Sequence, residues 1–183
     1  MSTSSAPFGL IPAYSPSGVI RPTMYSIVSG YNANIFGNQP VKLTDGQVEP
    51  AAIGDEYIGS FQGVEWTDSD GRRRVSNKWT AATSGTQINA YVTLDPSIVY
   101  NIQANGTLSA ASIGAQYNFT TVTAGNATVG ISQVMLDTAT SGTNKQMRVI
   151  GLTPAPDNAW DDNFPIVQVQ VSLHQNVANK AAY

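Results

Sequence analysis

The stretch Pro165-Ile-Val-Gln-Val-Gln-Val-Ser-Leu173 contains the most regular pattern in the chain. Apolar residues occupy every second position, and amides and a hydroxyl fill the positions between them. Successive side chains of a β-strand point to opposite faces of the sheet, so this alternation predicts a strand with one face in a core. The face predicted to be buried carries Val167, Val169, Val171 and Leu173.

Shorter runs with the same period of two occur upstream, and residues that favour turns separate them. Asp45-Gly46, Asp70-Gly71 and Asn105-Gly106 each lie between two such runs. These dipeptides tolerate the left-handed backbone of tight hairpin turns, so each predicts a change of strand direction.

Glycines inside one of these runs predict local distortion of a strand. Gly59 and Gly63 lie within the run 57–66, where we expect bends or β-bulges. No segment keeps a 3.6-residue period, and the Ala and Ser residues between 108 and 116 favour only a short helical turn. Roughly nine or ten short strands, at intervals of ~8–15 residues, predict an all-β domain built as a barrel or sandwich of antiparallel strands.

The chain carries few charges for its length. Of 183 residues, 11% are charged and the formal net charge is −3. Typical globular domains are about 25% charged, and a general nucleic-acid binder needs a broad basic face. We therefore expect no direct binding to nucleic acid. Because a soluble monomer usually has a well-charged surface, the low charge also indicates that a partner covers much of the surface.

Cysteines and long apolar runs are both absent from the sequence. Zero cysteines exclude disulfides, Cys-based zinc sites and thiol catalysis. No apolar run approaches the ~18 residues of a membrane span, so we expect no membrane association. The segment 1–8 lacks a basic region followed by an apolar stretch, which predicts no secretion signal and assembly in the cytoplasm.

We divide the chain into an extended N-terminal arm at 1–23, a β domain at 24–173 and a C-terminal tail at 174–183. Proline recurs through the arm, which disfavours helices and sheet ladders. A disordered tail would not need the apolar side chains found there, so the arm either packs back on its own domain or lies on a partner. The tail is predicted to be a short helix or a second contact arm. The apolar residues proposed as arm contacts are Phe8, Leu10, Ile11 and Tyr14.

The residues needed for catalysis are scarce. His174 is the single histidine, and no serine lies in a Gly-x-Ser-x-Gly pattern. We expect His174 to make a polar contact at the end of the last strand, and we predict that the protein is not an enzyme.

Two acidic segments were considered as cation sites. Asp68-Ser-Asp70-Gly71 resembles the start of a calcium loop, but position 79, where a bidentate glutamate is needed, is Trp. A hairpin turn is therefore the expected structure there. Asp157, Asp161 and Asp162 form a structural loop, bind a hard cation or contact a partner. We predict no cofactor.

Basic and aromatic residues offer two further candidate surfaces. Arg72-Arg73-Arg74 is the only basic cluster, and alternation places Arg72 and Arg74 on one face. These two side chains either protect a sheet edge from pairing or bind carboxylates of a neighbouring subunit. Three tryptophans, Trp66, Trp79 and Trp160, form a carbohydrate-binding face or, more commonly in sandwiches, serve as core and interface anchors.

Three segments together resemble the head decoration, or cement, proteins of tailed bacteriophages, which are encoded beside the major capsid protein. The segments are Ala6-Pro-Phe-Gly-Leu-Ile-Pro12 with Pro16-Ser-Gly18, Ile35-Phe-Gly-Asn-Gln-Pro-Val-Lys-Leu43, and Pro156-Asp-Asn-Ala-Trp160 leading into Ile166-Val-Gln-Val-Gln170. The resemblance spans most of the chain, and its motifs are structural.

The resemblance implies a virion protein on the outer surface of an expanded icosahedral head, where it bridges subunits of the major capsid protein. Such proteins are commonly homotrimers on local three-fold axes, although dimers and monomers occur. It further implies that the arm residues bury against the capsid or a sister copy, and that Trp160 with its Asp loop forms a second contact.

Two other functions remain open at this stage. A carbohydrate- or receptor-binding module of a virion tail or a cell surface would use exposed Tyr and Trp side chains. A hydrolase would use Asp157, Asp161 and Asp162 as its acids.

Overall fold

The computed structural model describes residues 2–120 and 125–177. Within them the protein is all-β, as predicted, with thirteen strands and two single 3-10 turns, at Ala110–Ser112 and Thr138–Thr140. The strands are β1 (Ile11–Tyr14), β2 (Pro22–Tyr25), β3 (Pro40–Thr44), β4 (Gln47–Pro50), β5 (Gly59–Thr67), β6 (Arg73–Ser76), β7 (Thr86–Thr93), β8 (Val99–Gln103), β9 (Gln116–Tyr117), β10 (Gly125–Asn126), β11 (Ile131–Ser132), β12 (Met147–Leu152) and β13 (Ile166–Val171).

The first sheet is antiparallel, with the order β1-β8-β13-β12-β9. Its third strand, β13, is the segment with the regular alternation. Val167, Val169 and Val171 are buried in a core, whereas Gln168 and Gln170 on the opposite face are only half-buried. The predicted strand and its predicted faces are therefore both confirmed.

The second sheet has the order β2-β7-β5-β3-β4, and β6 pairs with β5 beyond the end of β3. Its two outer strands meet, because Ser26 forms a parallel bridge with Gln47 and its carbonyl accepts a 2.8 Å hydrogen bond from the Val48 N–H. The sheet thus curls into a small barrel. A third, two-stranded sheet joins β10 to β11.

Two hydrophobic cores lie side by side, and one stretch of chain serves both of them. Tyr57 belongs to the core beneath the first sheet, whereas the next residue, Ile58, belongs to the core of the barrel. Side chains of successive extended residues point in opposite directions, which allows this division. At the junction, the Tyr100 hydroxyl lies 3.0 Å from the Thr93 hydroxyl, so the cores meet at a buried polar contact.

Two of the predicted hairpin turns form as expected. Asp45 and Gly46 both have positive φ angles, 50° and 78°, and connect β3 to β4. Between β5 and β6, the Asp68 carboxylate accepts hydrogen bonds from the backbone N–H groups of Asp70 and Arg72, both at 3.0 Å. The Asp68 segment is therefore the hairpin turn that the sequence favours over a calcium loop.

The glycines in β5 permit close packing of the barrel strands. Gly59 has a φ of 150°, and a Cβ there would lie 1.7 Å from the carbonyl oxygen of Thr93 on β7. Gly63 has a φ of 142°, and the register with β7 shifts between Phe61 and Gly63. The register shift confirms the predicted distortion at Gly63, and at both glycines a Cβ would lie close to a backbone oxygen of a neighbouring strand.

The N-terminal residues form part of both sheets. β1 pairs with β8 at the edge of the first sheet, and β2 pairs with β7 in the barrel. The predicted boundary between arm and domain, at 23/24, falls inside β2 and needs correction. Of the predicted tail at 174–183, only residues 174–177 are described, and they follow β13; the rest of the predicted helix or contact arm lies outside the described residues.

Candidate interaction surfaces

The four predicted arm contacts differ in exposure. Leu10 is fully buried in the first core, and its N–H donates to the Asn38 carbonyl at 2.7 Å. This burial corrects its prediction as a partner contact, because a core side chain has no surface to offer. Phe8 and Ile11 are half-buried, and Tyr14, at the end of β1, is 45% exposed.

Exposed apolar side chains lie along the chain that joins the two sheets. Tyr14 ends β1, Val19 lies in the connection and Met24 lies in β2, and their exposed fractions are 45%, 54% and 59%. We call these three residues the N-terminal apolar stretch. Single exposed apolar residues are ordinary, and these three lie within eleven residues of one continuous segment.

Arg74 pairs within its own chain. Its Nε donates to the Asp68 Oδ2 at 2.6 Å across the β5–β6 hairpin. This hydrogen bond, followed by the Arg72 backbone N–H, lowers the pKa of the Asp68 carboxyl. Arg74 therefore has a carboxylate partner six residues away in its own chain, and its pairing with a neighbouring subunit stays a prediction.

Arg73 belongs to a polar network on the outer face of the barrel. The Glu65 Oε1 accepts from the Asn89 Nδ2 at 3.0 Å, from the Arg73 Nη2 at 2.6 Å and from the Tyr91 hydroxyl at 3.0 Å. In that order, these hydrogen bonds lower the pKa of Glu65 to about 2. We name these four residues the Glu65 network.

The sequence analysis missed the Glu65 network. Asn89 and Tyr91 alternate on one face of β7, and Glu65 pairs directly with Asn89 across β5 and β7. The alternation in 87–94 is therefore the available signal. It places two of the donors on one face, but the register that brings Glu65 beside them depends on the position of the bulge.

Arg72 differs from the other two arginines. It is exposed immediately before β6, and its backbone N–H donates to the Asp68 carboxylate. Within residues 2–120 and 125–177, no hydrogen bond or ion pair engages its guanidinium group. Of the predicted basic contacts, Arg72 alone presents an unpaired charge to a partner.

His174 makes the polar contact expected at the end of the last strand. Its ring is 2% exposed, Nε2 lies 2.9 Å from the Leu94 carbonyl, and Nδ1 accepts from the Asn176 N–H at 3.1 Å. These two contacts assign the neutral tautomer with the proton on Nε2. The histidine thereby fastens the chain after β13 to the end of β7.

The acidic loop is built around Asp162. Its carboxylate is nearly buried and accepts from the N–H groups of Ser2 at 2.7 Å and Ala159 at 3.0 Å. These two bonds, with Ser2 first, lower its pKa. Across residues 2–120 and 125–177, no three His, Cys, Asp or Glu side chains gather as ligands for a metal. The loop therefore anchors the N-terminus, in agreement with its structural interpretation.

The three tryptophans do not share an exposed face. Trp79 is fully buried in the barrel, and half-buried Trp66 packs edge-on against it with ring centroids 5.8 Å apart. Trp160 is half-buried and packs against the other core. Their arrangement matches the interpretation as anchors and gives no flat platform for a sugar ring.

Comparison with known proteins identifies no relative of this chain. Neither a described family, nor a curated protein, nor a solved structure matches this chain. Over residues 2–120 and 125–177, none of the helical segments has the length and apolar character needed to cross a membrane.

Proposed function

We propose that this protein is a structural component of a bacteriophage virion that binds the outer surface of the icosahedral head. There it bridges subunits of the major capsid protein, associates with sister copies as a trimer and stabilises the mature shell. It is assembled in the host cytoplasm and makes or breaks no covalent bond. The observation that carries this proposal is the N-terminal apolar stretch on a segment fixed at both ends.

Fixed ends favour binding because they reduce the entropy lost on association. β1 holds Tyr14 at the edge of the first sheet, and β2 holds Met24 in the barrel. An apolar side chain on a segment that is already ordered needs little further ordering when it contacts a partner. Aromatic residues and methionine are enriched at the centres of protein interfaces, which suits this segment to adhesion.

The pairing of charged side chains within the chain also supports the proposal that a partner covers this surface. Several charged side chains are neutralised by partners in the same chain, as in the pairs of Arg73 with Glu65, Arg74 with Asp68 and Lys42 with Asp55. An interface with few uncompensated charges loses little free energy to desolvation. Such a surface therefore favours binding to the proteins of a capsid lattice.

Point substitutions test the proposal better than a deletion. Removal of residues 1–20 would strip the edge strand β1 and the core residue Leu10, so lost binding would be confounded with lost stability. The double variant Tyr14→Ser/Val19→Ser changes exposed side chains only. We expect about tenfold weaker binding to expanded heads in co-sedimentation, with a melting temperature close to that of the wild type.

A matched control uses an apolar residue elsewhere on the surface. Ile113 is 52% exposed beside the 3-10 turn at Ala110–Ser112, and Ile113→Ser should leave head binding unchanged. Equal binding by the wild type and the double variant would refute the role of the N-terminal apolar stretch. Absence of the protein from purified virions, or glycan binding without head binding, would refute the function itself.

A further inference from the structure

Strand β6 presents an open edge of the barrel. It pairs with β5 along one side only, and the Asp68 N–H closes the hairpin onto the Arg72 carbonyl at 3.0 Å. In an antiparallel ladder, bonded and non-bonded positions alternate, so Arg74 and Ser76 direct their backbone groups to β5. The N–H and C=O groups of Arg73 and Val75 then point outward, and no described residue supplies them with a partner.

The Val75 side chain marks this edge as accessible. It is 78% exposed, the largest exposed fraction among the large apolar residues that the structure describes. It lies opposite Glu65, beside the Glu65 network. An apolar side chain at that position gives an added strand something to pack on.

The charges that usually protect such an edge are neutralised here. Positively charged side chains on an edge strand normally repel an incoming strand. Arg73 is bound to Glu65 at 2.6 Å, and Arg74 is bound to Asp68 at 2.6 Å. Both guanidinium groups are therefore directed back onto their own hairpin, and only the Arg72 charge remains uncompensated at the edge.

We propose that the outer edge of β6 accepts an extended strand of another protein, and that this strand carries a carboxylate facing Arg72. The backbone groups of Arg73 and Val75 supply the ladder, and Arg72 selects acidic over basic sequences. Charge disfavours a second copy of this chain as the occupant. The segment Arg72-Arg-Arg-Val-Ser76 contains no carboxylate, so β6 paired with itself would offer no acidic side chain to face Arg72.

This inference does not depend on the proposed function, because it rests on the β5–β6 hairpin and not on the N-terminal apolar stretch. A virion protein, a receptor module or a free domain would all present the same edge. The test therefore uses the isolated full-length protein, and a negative result leaves the head-binding proposal intact.

The experiment titrates the protein with a capped seven-residue peptide of alternating valine and glutamate, and with the lysine counterpart as a matched probe. Amide hydrogen exchange, read by NMR, reports which groups become protected. We expect protection of the Arg73 and Val75 amides, and no change at Arg74 and Ser76, which already bind β5. The glutamate peptide should bind about two- to fivefold more tightly than the lysine peptide, as one exposed ion pair allows.

Variants separate the backbone contribution from the charge. Val75→Pro removes the outward N–H and should abolish binding, whereas Val75→Ala keeps the N–H and should weaken it only slightly. Arg72→Glu changes an exposed side chain and should reverse the preference, so that the lysine peptide binds better. This second variant keeps the test decisive if Val75→Pro perturbs the hairpin.

Three results would overturn the inference. One is unchanged exchange at the Arg73 and Val75 amides when saturating peptide is present. Another is equal affinity for both peptides in the wild type and in Arg72→Glu. The third is protection of the same two amides in a concentration-dependent dimer without peptide, which would make a second copy the occupant.

Discussion

Glu65 shows how single residues set the character of this surface. One carboxylate oxygen accepts hydrogen bonds from Asn89, Arg73 and Tyr91, each on a strand next to β5. Donors favour the ionised form of an acid, so the pKa of Glu65 falls to about 2, and that of Tyr91 is raised because its hydroxyl donates to Glu65. Three strands are thereby linked by one charged group.

The Glu65 network should make folding stability depend on pH. A carboxyl whose pKa is lower in the folded protein than its ordinary value of 4.5 stabilises the fold above that value. The contribution diminishes as pH falls, and it is lost once pH passes through about 2. Glu65→Gln should therefore lower the urea midpoint at pH 7, and the difference from the wild type should shrink between pH 4.5 and 2.

A second glutamate provides the control for this measurement. Glu56 is exposed and lies outside the Glu65 network, so Glu56→Gln should leave the urea midpoint nearly unchanged at every pH. A constant gap between Glu65→Gln and the wild type from pH 7 to pH 2 would contradict the assigned role of the carboxylate.

At the scale of elements, side-chain amides bind backbone groups that no described neighbouring strand pairs with. Gln175 accepts from the Leu43 N–H at 2.7 Å and donates to the Leu43 carbonyl at 3.0 Å, as a neighbouring backbone would. Gln146 donates to the carbonyls of Ala52 and Asp55. The Gln175 amide thereby satisfies a donor and an acceptor together, and both side chains fasten loops without using a charge.

Gln103 is the amide that fastens the N-terminus. Its Oε1 accepts from the Ala6 N–H at 2.8 Å, and its Nε2 donates to the carbonyls of Ser4 at 3.1 Å and Phe164 at 3.3 Å. Gln103→Met keeps the size but removes the hydrogen-bond partner of the Ala6 N–H and the Ser4 carbonyl, whereas the Phe164 carbonyl still accepts from the Ser2 hydroxyl. We expect a loss of about 1–3 kcal/mol in the free energy of unfolding and faster amide exchange at Ala6.

The control for Gln103 lies on the neighbouring strand. Gln168→Met changes a half-buried amide on the outer face of β13 and should cost less than about 1 kcal/mol. If both variants lose the same free energy, or if exchange at Ala6 does not change in Gln103→Met, the amide does not hold the N-terminus.

Sequence patterns predicted some elements and missed others for definable reasons. β13 and the β3–β4 hairpin follow from alternation and from Asp45-Gly46, which act over a few residues. β1 and β2 were assigned to an arm because Pro12 and Pro22 disfavour internal strands. Both are edge strands within their sheets, where a proline need not donate to a ladder, and only the assembled sheets reveal that position.

The candidate contacts divide in the same way. Tyr14 and Arg72 are exposed where the sequence suggested partner contacts, and their actual partners remain a prediction. Leu10 and Arg74 instead make contacts within the chain. Leu10 is fully buried in a core, and Arg74 forms a 2.6 Å ion pair with Asp68. A sequence pattern identifies residues capable of a contact, but it does not show whether the residue they contact belongs to the same molecule.

At the scale of the whole molecule, the two cores depend on one another. Tyr57 and Ile58 are neighbours in sequence and belong to different cores, and Ser60 on β5 donates to the Leu10 carbonyl beneath the other sheet at 2.6 Å. One core cannot open without displacing residues of the other. We therefore expect the described domain to unfold as one cooperative unit.

A substitution in one core should weaken both. Val169 is fully buried beneath the first sheet, and Val169→Ala should lower the free energy of unfolding by about 2 kcal/mol. Native-state hydrogen exchange should show the same loss of protection at Val149, in the first core, and at Val92, in the barrel. Val75→Ala, at a position 78% exposed, serves as the control.

Unequal responses would show that the cores are independent. If protection at Val92 stays at the wild-type level in Val169→Ala while protection at Val149 falls, the barrel is a separate folding unit. The contacts between Ser60 and Leu10, and between Thr93 and Tyr100, would then contribute little to cooperativity.

Local order in this protein can be read from residue order alone, because alternation and turn chemistry act between neighbours one to four positions apart. The strands, the hairpins and the near absence of helix all belong to that class. Long-range pairing cannot be read in this way. The Ser2–Asp162 bond and the place of Leu10 in a core exist only when distant segments meet, and that meeting is set by which buried faces fit together.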